Sequence, residues 1–189
     1  MPPKAKVTGE SILQAAVALV REKGAEALNA RALAAAIGCS TQPIFSNYES
    51  MEALREDVMG EAYHLYQGML KEEISSGRYS AYKANGMAYI RFANEEKSLF
   101  KLLFASDRTE DEKGFFEEWA PLISIIRKKA GLSQEKAELF HLEMWGTVHG
   151  IASMIASSYL TLDHERISQI LTDVYVGVRD RFVSGDSEL

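Results

Sequence analysis

The fold is decided by the stretch Asn29-Ala30-Arg31-Ala32-Leu33-Ala34-Ala35-Ala36-Ile37-Gly38-Cys39-Ser40-Thr41-Gln42-Pro43-Ile44-Phe45-Ser46-Asn47-Tyr48. Asn29 is a good N-cap, and Leu33, Ala34 and Ile37 then fall on one face of a short helix. Gly38 stops that helix, because a left-handed residue is needed there and bulky side chains resist it. Ser40 is expected to cap a second short helix, whose Pro43 falls in the first turn, where a missing N–H costs little. Ile44 packs back against the first helix, and Ala34 is small where the two must cross. Two short helices joined by so tight a turn describe a helix-turn-helix, whose second helix enters the DNA major groove.

Upstream, Thr8 can cap a helix with Glu10 in its first turn and Gly24 at its end, and Ile12, Ala16, Leu19 and Val20 form its apolar stripe. Downstream, Ser50 caps a long fourth helix with Leu54, Val58, Ala62, Leu65 and Met69 inside. Periodicity predicts further helices near 79–94, 97–105, 115–130, 134–159 and 163–183. The breaks are Ser75-Ser76-Gly77, the charged run Asp107 to Gly114, Gly131, and Thr161-Leu162-Asp163. No alternating, hairpin-bounded stretch appears, and neither does a repeat. The expectation is an all-α chain: a short three-helix DNA-binding domain over 1–50, and a larger helical domain over 51–189.

Composition agrees with a globular chain. The 189 residues are 47% hydrophobic and 25% charged, which excludes general disorder. A chain of this length hides roughly 70% of its unfolded surface. One cysteine excludes a disulfide framework and a four-cysteine zinc site. Met1-Pro2-Pro3-Lys4-Ala5-Lys6 leads into no isolated apolar run, so no signal peptide is expected. Met144 to Leu162, the most apolar long stretch, holds His149 and several serines and reads as a buried helix rather than a membrane span. A cytoplasmic protein is the expectation. The net charge of −6 hides an asymmetry: residues 1–48 hold five basic and three acidic side chains, +2, and the remainder is −8. A mildly basic head on an acidic body suits a polyanion reader confined to one end.

The stretch from Ala25 through Ser40, continuing from Thr41-Gln42-Pro43-Ile44-Phe45-Ser46-Asn47-Tyr48 to Glu49-Ser50-Met51-Glu52-Ala53-Leu54, resembles the DNA-binding domain of TetR-family transcriptional regulators over roughly residues 8–60. Tyr89-Ile90-Arg91-Phe92-Ala93 through Leu99-Phe100-Lys101-Leu102-Leu103-Phe104, followed by Trp145-Gly146-Thr147-Val148-His149-Gly150, is similar to one C-terminal domain type of that family. The proline often seen before the Leu-Phe is absent. The resemblance implies a homodimer on a palindromic operator, released by an effector that enters the C-terminal domain, and so assigns effector binding and dimerisation to 51–189. Met51 stands where the family usually has lysine, and Phe45 where it usually has tyrosine, both phosphate contacts, so fewer backbone contacts are implied here. The second helix carries no cation; Ser40, Thr41, Gln42, Ser46 and Asn47 are its candidate contacts, with Gln and Asn suited to adenine. Positioning on the duplex falls to Asn29, Arg31, helix N-termini and the arm lysines Lys4 and Lys6. Tyr48 reads as core support and Cys39 as a small buried thiol.

The aromatic and methionine side chains after residue 50 suit either a helix-bundle core or a largely apolar effector cavity. Candidate lining residues are Tyr89, Phe92, Phe104, Trp119, Met144, Trp145 and His149, with His149 as polar anchor. Candidate dimer-seam residues are Val148, Ala152, Ala156 and Tyr159 on one helix, and Ile167, Leu171 and Val174 on the next. No cofactor is expected. The rival reading is a di-metal (iron or manganese) carboxylate enzyme, because Glu61-x-x-His64 and Glu138-x-x-His141 repeat the ligand spacing of such bundles. At about 100° per residue, however, His64 points away from the apolar stripe of its helix. A helical scaffold that no longer binds DNA is the third.

Overall fold

Capping dictates where the first helix begins. Thr8 Oγ1 accepts from the Ser11 N–H while Ser11 Oγ accepts from the Thr8 N–H, a reciprocal box that starts α1 at Gly9. The computed structural model describes residues 7–105 and 112–184, and the side chains of 112–118 are not among those described. Lys4 and Lys6 lie outside the described residues, as does most of the charged run 107–114. All regular structure among the described residues is helical. Helix α1 spans Gly9–Lys23, a 3-10 turn Ala25–Ala27, α2 Ala30–Ile37, α3 Gln42–Asn47 and α4 Met51–Ser75. Beyond these come α5 Ala81–Glu95, α6 Lys97–Phe104, α7 Glu112–Ala130, α8 Gln134–Ala156 and α9 His164–Ser184.

Three expected caps stand. Asn29 Oδ1 accepts from the Ala32 N–H, Ser50 Oγ from the Ala53 N–H, and Gly38 ends α2 at φ 76°, ψ 35°. The cap proposed for Ser40 does not. Thr41 precedes α3 with helical dihedrals, and no side chain caps that end. Pro43, in the first turn, removes one of the donors a cap would have served. Helix α8 stops at Ala156, short of 159, because Ser158 adopts φ 60° and the Tyr159 and Leu160 N–H groups turn back to the Met154 carbonyl. Serine does here what glycine usually does, so no glycine marked the stop.

The chain divides into two compact units, 1–68 with 95–106 and 69–94 with 107–189. Helix α4 runs through the boundary, and α6 belongs with the first unit, whereas the sequence-based division falls at 50/51. The first unit buries Ile12, Ala16, Val20, Leu33, Ile44 and Leu54 together with Leu99 and Phe100 of α6. Arg21 grips Glu96 with two hydrogen bonds of 2.8 and 2.7 Å, tying α1 to the start of α6. In the second unit α7, α8 and α9 enclose a core of Trp119, Ile123, Ile126, Ala137, Phe140 and Met144. Lys83 of α5 donates to Ser168 Oγ and Thr172 Oγ1 of α9, both at 2.7 Å. Gly86 permits close approach there: a Cβ on it would stand 3.2 Å from Val148 Cγ2 and 3.3 Å from Leu171 Cδ1. No helix among the described residues is long and apolar enough to cross a membrane.

Candidate nucleic-acid interface and effector site

The turn between α2 and α3 is held from both sides. Gly38 and Cys39 N–H groups donate to the Ala34 carbonyl, closing the end of α2. Ile44 at 0% exposure pins α3 from beneath. Arg55 of α4 donates to the Ala25 and Leu28 carbonyls, so the segment entering α2 is fixed by a side chain that the motif reading overlooked. Tyr48 is partly buried and donates to the Gly9 carbonyl at 3.5 Å, the supporting role expected of it. Burial, and the neighbouring Asp57, raise its phenol pKa.

With its back so held, α3 turns Gln42, Phe45, Ser46 and Asn47 outward. They differ in what they have left to offer. Gln42 makes no side-chain hydrogen bond to any described residue. Ser46 Oγ donates to the Gln42 carbonyl and Asn47 Nδ2 to the Pro43 carbonyl, so each keeps its acceptor side outward. Ser40 is exposed and Thr41 partly so. Asn29 is committed to capping, since its Nδ2 also donates to the Ala27 carbonyl at 3.2 Å. Arg31, in the first turn of α2, is exposed and has no partner among the described residues. Phe45 is 51% exposed, an uncovered ring in the middle of the outward face. The sequence marked it only as a replaced tyrosine; its neighbours at 41, 42 and 46 on the polar face were the available signal.

In the second unit two tyrosine–histidine pairs bridge α5 and α8. Tyr82 Oη lies 2.9 Å from His141 Nδ1, and Tyr89 Oη lies 2.9 Å from His149 Nδ1. Aromatic rings connect the pairs: Trp119 meets His141 edge-to-face at 4.6 Å and Trp145 at 5.2 Å, and Trp145 stacks on His149 at 4.6 Å. Burial lowers both imidazole pKa values, that of His141 to about 4, and burial raises that of Tyr82. Of the effector candidates, Tyr89, Trp119, Trp145 and His149 thus come together, and Met144 packs with Trp119. Phe92 is buried at 0% exposure in α5. Phe104 belongs to the first unit, with its ring on Tyr66 and Phe100. His141 was met in the sequence only as half of a metal-type spacing, and Tyr82 was not singled out.

The proposed seam residues are placed mostly inside their own chain. Ala152, Ala156, Ile167 and Leu171 are buried, with Ala156 2% exposed. Val148 packs toward Gly86, and Val174 against the core around Phe140. Tyr159 alone among them is open, at 83% exposure. The apolar surface that α8 and α9 do expose carries Leu139, Leu142, Val176 and Val183. Gly146, Gly150 and Gly177 face open space.

The metal-enzyme alternative finds little support in this arrangement. Glu61 and His64 both face water, His141 is bonded to Tyr82, and Glu138 accepts from Gln134. Among the described residues no group of three or more His, Cys, Asp or Glu could hold a metal ion.

Residues 12–58 match the family model described as bacterial regulatory proteins, tetR family, and residues 82–175 match the tetracyclin repressor-like C-terminal domain. Among solved structures the chain is similar to a TetR-like transcriptional regulator from Rhodococcus sp. RHA1, with TM-score 0.67 and 16% identity, over 98% of this chain and 100% of that one. No curated protein matches it. With a helix-turn-helix head and a larger helical domain each matching its own part of the family pattern, the chain belongs to the TetR family of transcriptional regulators.

Proposed function

We propose that this regulator is a cytoplasmic, ligand-released repressor that binds a palindromic operator as a homodimer. The outward face of α3, with Gln42 unengaged and Phe45 half-exposed above a buried Ile44, is the observation that carries the reading. Gln42 suits the N6 and N7 edge of adenine, and Phe45 suits a thymine methyl. Ser46, Asn47, Thr41 and Ser40 supply shorter polar contacts, and Arg31 and the arm lysines Lys4 and Lys6 supply charge toward phosphates. Asn29 contributes through the N-terminus of α2 that it caps.

Two heads about 34–36 Å apart are needed to read both half-sites of a palindrome. The exposed apolar positions Leu142, Gly146 and Val176 of α8 and α9, with Tyr159 in the connection between them, support a seam on their outer face. A largely apolar effector, received by the aromatic layer of the second unit, shifts the spacing of the heads through α4. It can do so only by unequal affinity for the two spacings. Selection of binding sites from random DNA tests the reading: enrichment of a palindrome is expected, and no enrichment over bulk DNA overturns it. A transcription assay on the selected site then reads the sign of regulation.

A further inference from the structure

Of the two tyrosine–histidine pairs joining α5 to α8, one is left incomplete. His141 is 4% exposed, and its Nε2 is buried without a hydrogen-bond partner. The bond to Tyr82 decides what this orphan atom can do. If the phenol accepted from Nδ1–H, both its own hydrogen and the Nε2 lone pair would lack partners, since Tyr82 has no other hydrogen bond among the described residues. If the phenol donates, only one group is left over, and the phenol is also the stronger acid of the two. Nε2 therefore carries the hydrogen and is a donor.

A core that needed only bulk at this point would take phenylalanine at both 82 and 141 and leave nothing unpaired. Instead the Trp119 ring stands against His141 at 4.6 Å, edge-to-face at 84°. An indole is at best a weak partner for an imidazole N–H. Two residues past Trp119, Pro121 lies inside α7 and supplies no backbone N–H, so this turn lacks one of its ladder bonds. A flat indole on a weakened turn thus packs against the ring that carries the buried donor.

We propose that the Nε2–H of His141 is the recognition donor for an uncharged, flat, mostly apolar effector bearing a carbonyl oxygen, which takes the place of Trp119 against His141. This rests on reading the second unit as the effector domain. The rings set against the imidazole, Tyr82 from α5 and Trp119 from α7, carry no formal charge, and burial keeps His141 itself neutral. A carboxylate would find no counter-ion in those two rings, whereas a ketone, quinone or ester arrives neutral and accepts one hydrogen bond. Binding and displacement of Trp119 are then one event, which gives the effector a structural consequence in α7.

Acetophenone and isopropylbenzene, alike in size and differing in the acceptor oxygen, are the probes for the full-length chain labelled with nitrogen-15 histidine. The expected results are a protonated Nε2 at His141, a shift of that resonance on adding acetophenone, and binding about tenfold tighter than that of isopropylbenzene. H141F should bind the two alike, and H141Q, which restores an N–H near the same point, should regain the preference. No binding of acetophenone, equal binding of both probes by the unaltered chain, or a shift at His149 with none at His141 overturns the proposal. If H141F does not fold, the resonance shift in the unaltered chain decides by itself. Operator selection on the same preparation separates the two readings. A protein that enriches a palindrome but ignores acetophenone keeps its regulator role and loses this site; one that binds acetophenone through His141 but no DNA does the reverse.

Discussion

Gln42 and Arg31 sit on neighbouring helices and should fail in different ways. Gln42→Ala is expected to relax base preference at one position per half-site, at about 1–3 kcal/mol per lost bidentate contact. Arg31→Ala should weaken all sequences alike and flatten the dependence of affinity on salt. Titrating both variants against the selected operator and a scrambled duplex at several salt concentrations checks the division; equal, sequence-independent losses contradict it. His141 governs a second behaviour. Its folded pKa is about 4 against 6.5 in the open chain, so below 6.5 the unfolded state binds the extra proton. Stability is whole above that value, falls between 6.5 and about 4, and levels off below, by at most about 3 kcal/mol from this group. Urea midpoints of the unaltered chain should drop across that window, and those of H141F should drop less. Asn29 and Gly38 were legible in the sequence because their partners lie within a few positions. The pairing of His141 was not, because Tyr82 is 59 residues away and a chemical role set by a distant contact leaves no periodic trace.

Helix α3 has six residues, too few to hold its shape alone, so its direction comes from the turn before it and from Ile44 beneath. Gly38 is the sharpest test of that turn. A Cβ there would meet no atom within 4 Å, so any penalty is one of backbone conformation. Gly38→Ala is expected to lower stability by about 1–2 kcal/mol, and Gly38→Asn by less, since asparagine tolerates the left-handed region. Equal midpoints for Ala and Asn in urea would show that the turn relaxes. The helices themselves were legible because apolar stripes and caps are local signals, and most boundaries fell within a few residues. Two of the ends that differ lie beside a serine: the Ser40 side chain does not cap α3, and the Ser158 backbone turns left-handed after α8. Membership of α6 in the first unit was likewise hidden, because the Arg21–Glu96 pair spans 75 positions.

Assembly is where the internal packing most changes what should be tested. Ala156→Arg, suited to a seam residue, would here force a charge into the interior of a single chain and is expected to unfold it. Gly146→Arg is the better probe: nothing lies within 4 Å of a Cβ at that point, so the single chain has room for the new side chain. It should remain helical by circular dichroism, sediment as a monomer and lose specific operator binding, since one head reads only one half-site. A variant that stays dimeric and binds normally moves the seam elsewhere. The stripe of inward alanines on α8 was readable as an apolar face, but periodicity does not distinguish a face turned to its own core from one turned to a second copy. Only the neighbouring helices decide that, and here Ala152 and Ala156 are already buried within their own chain.

Trp119 and Trp145 are the chain's only two tryptophans, and they stand 5.2 Å apart in the layer between the two histidines. All of the protein's indole emission therefore originates within one small region, and the two chromophores are close enough to couple as a pair. Near-ultraviolet circular dichroism of the unlabelled chain should show that coupling as a paired band of opposite signs. Its collapse on adding a small molecule would time the separation of the rings directly, with no dye to attach.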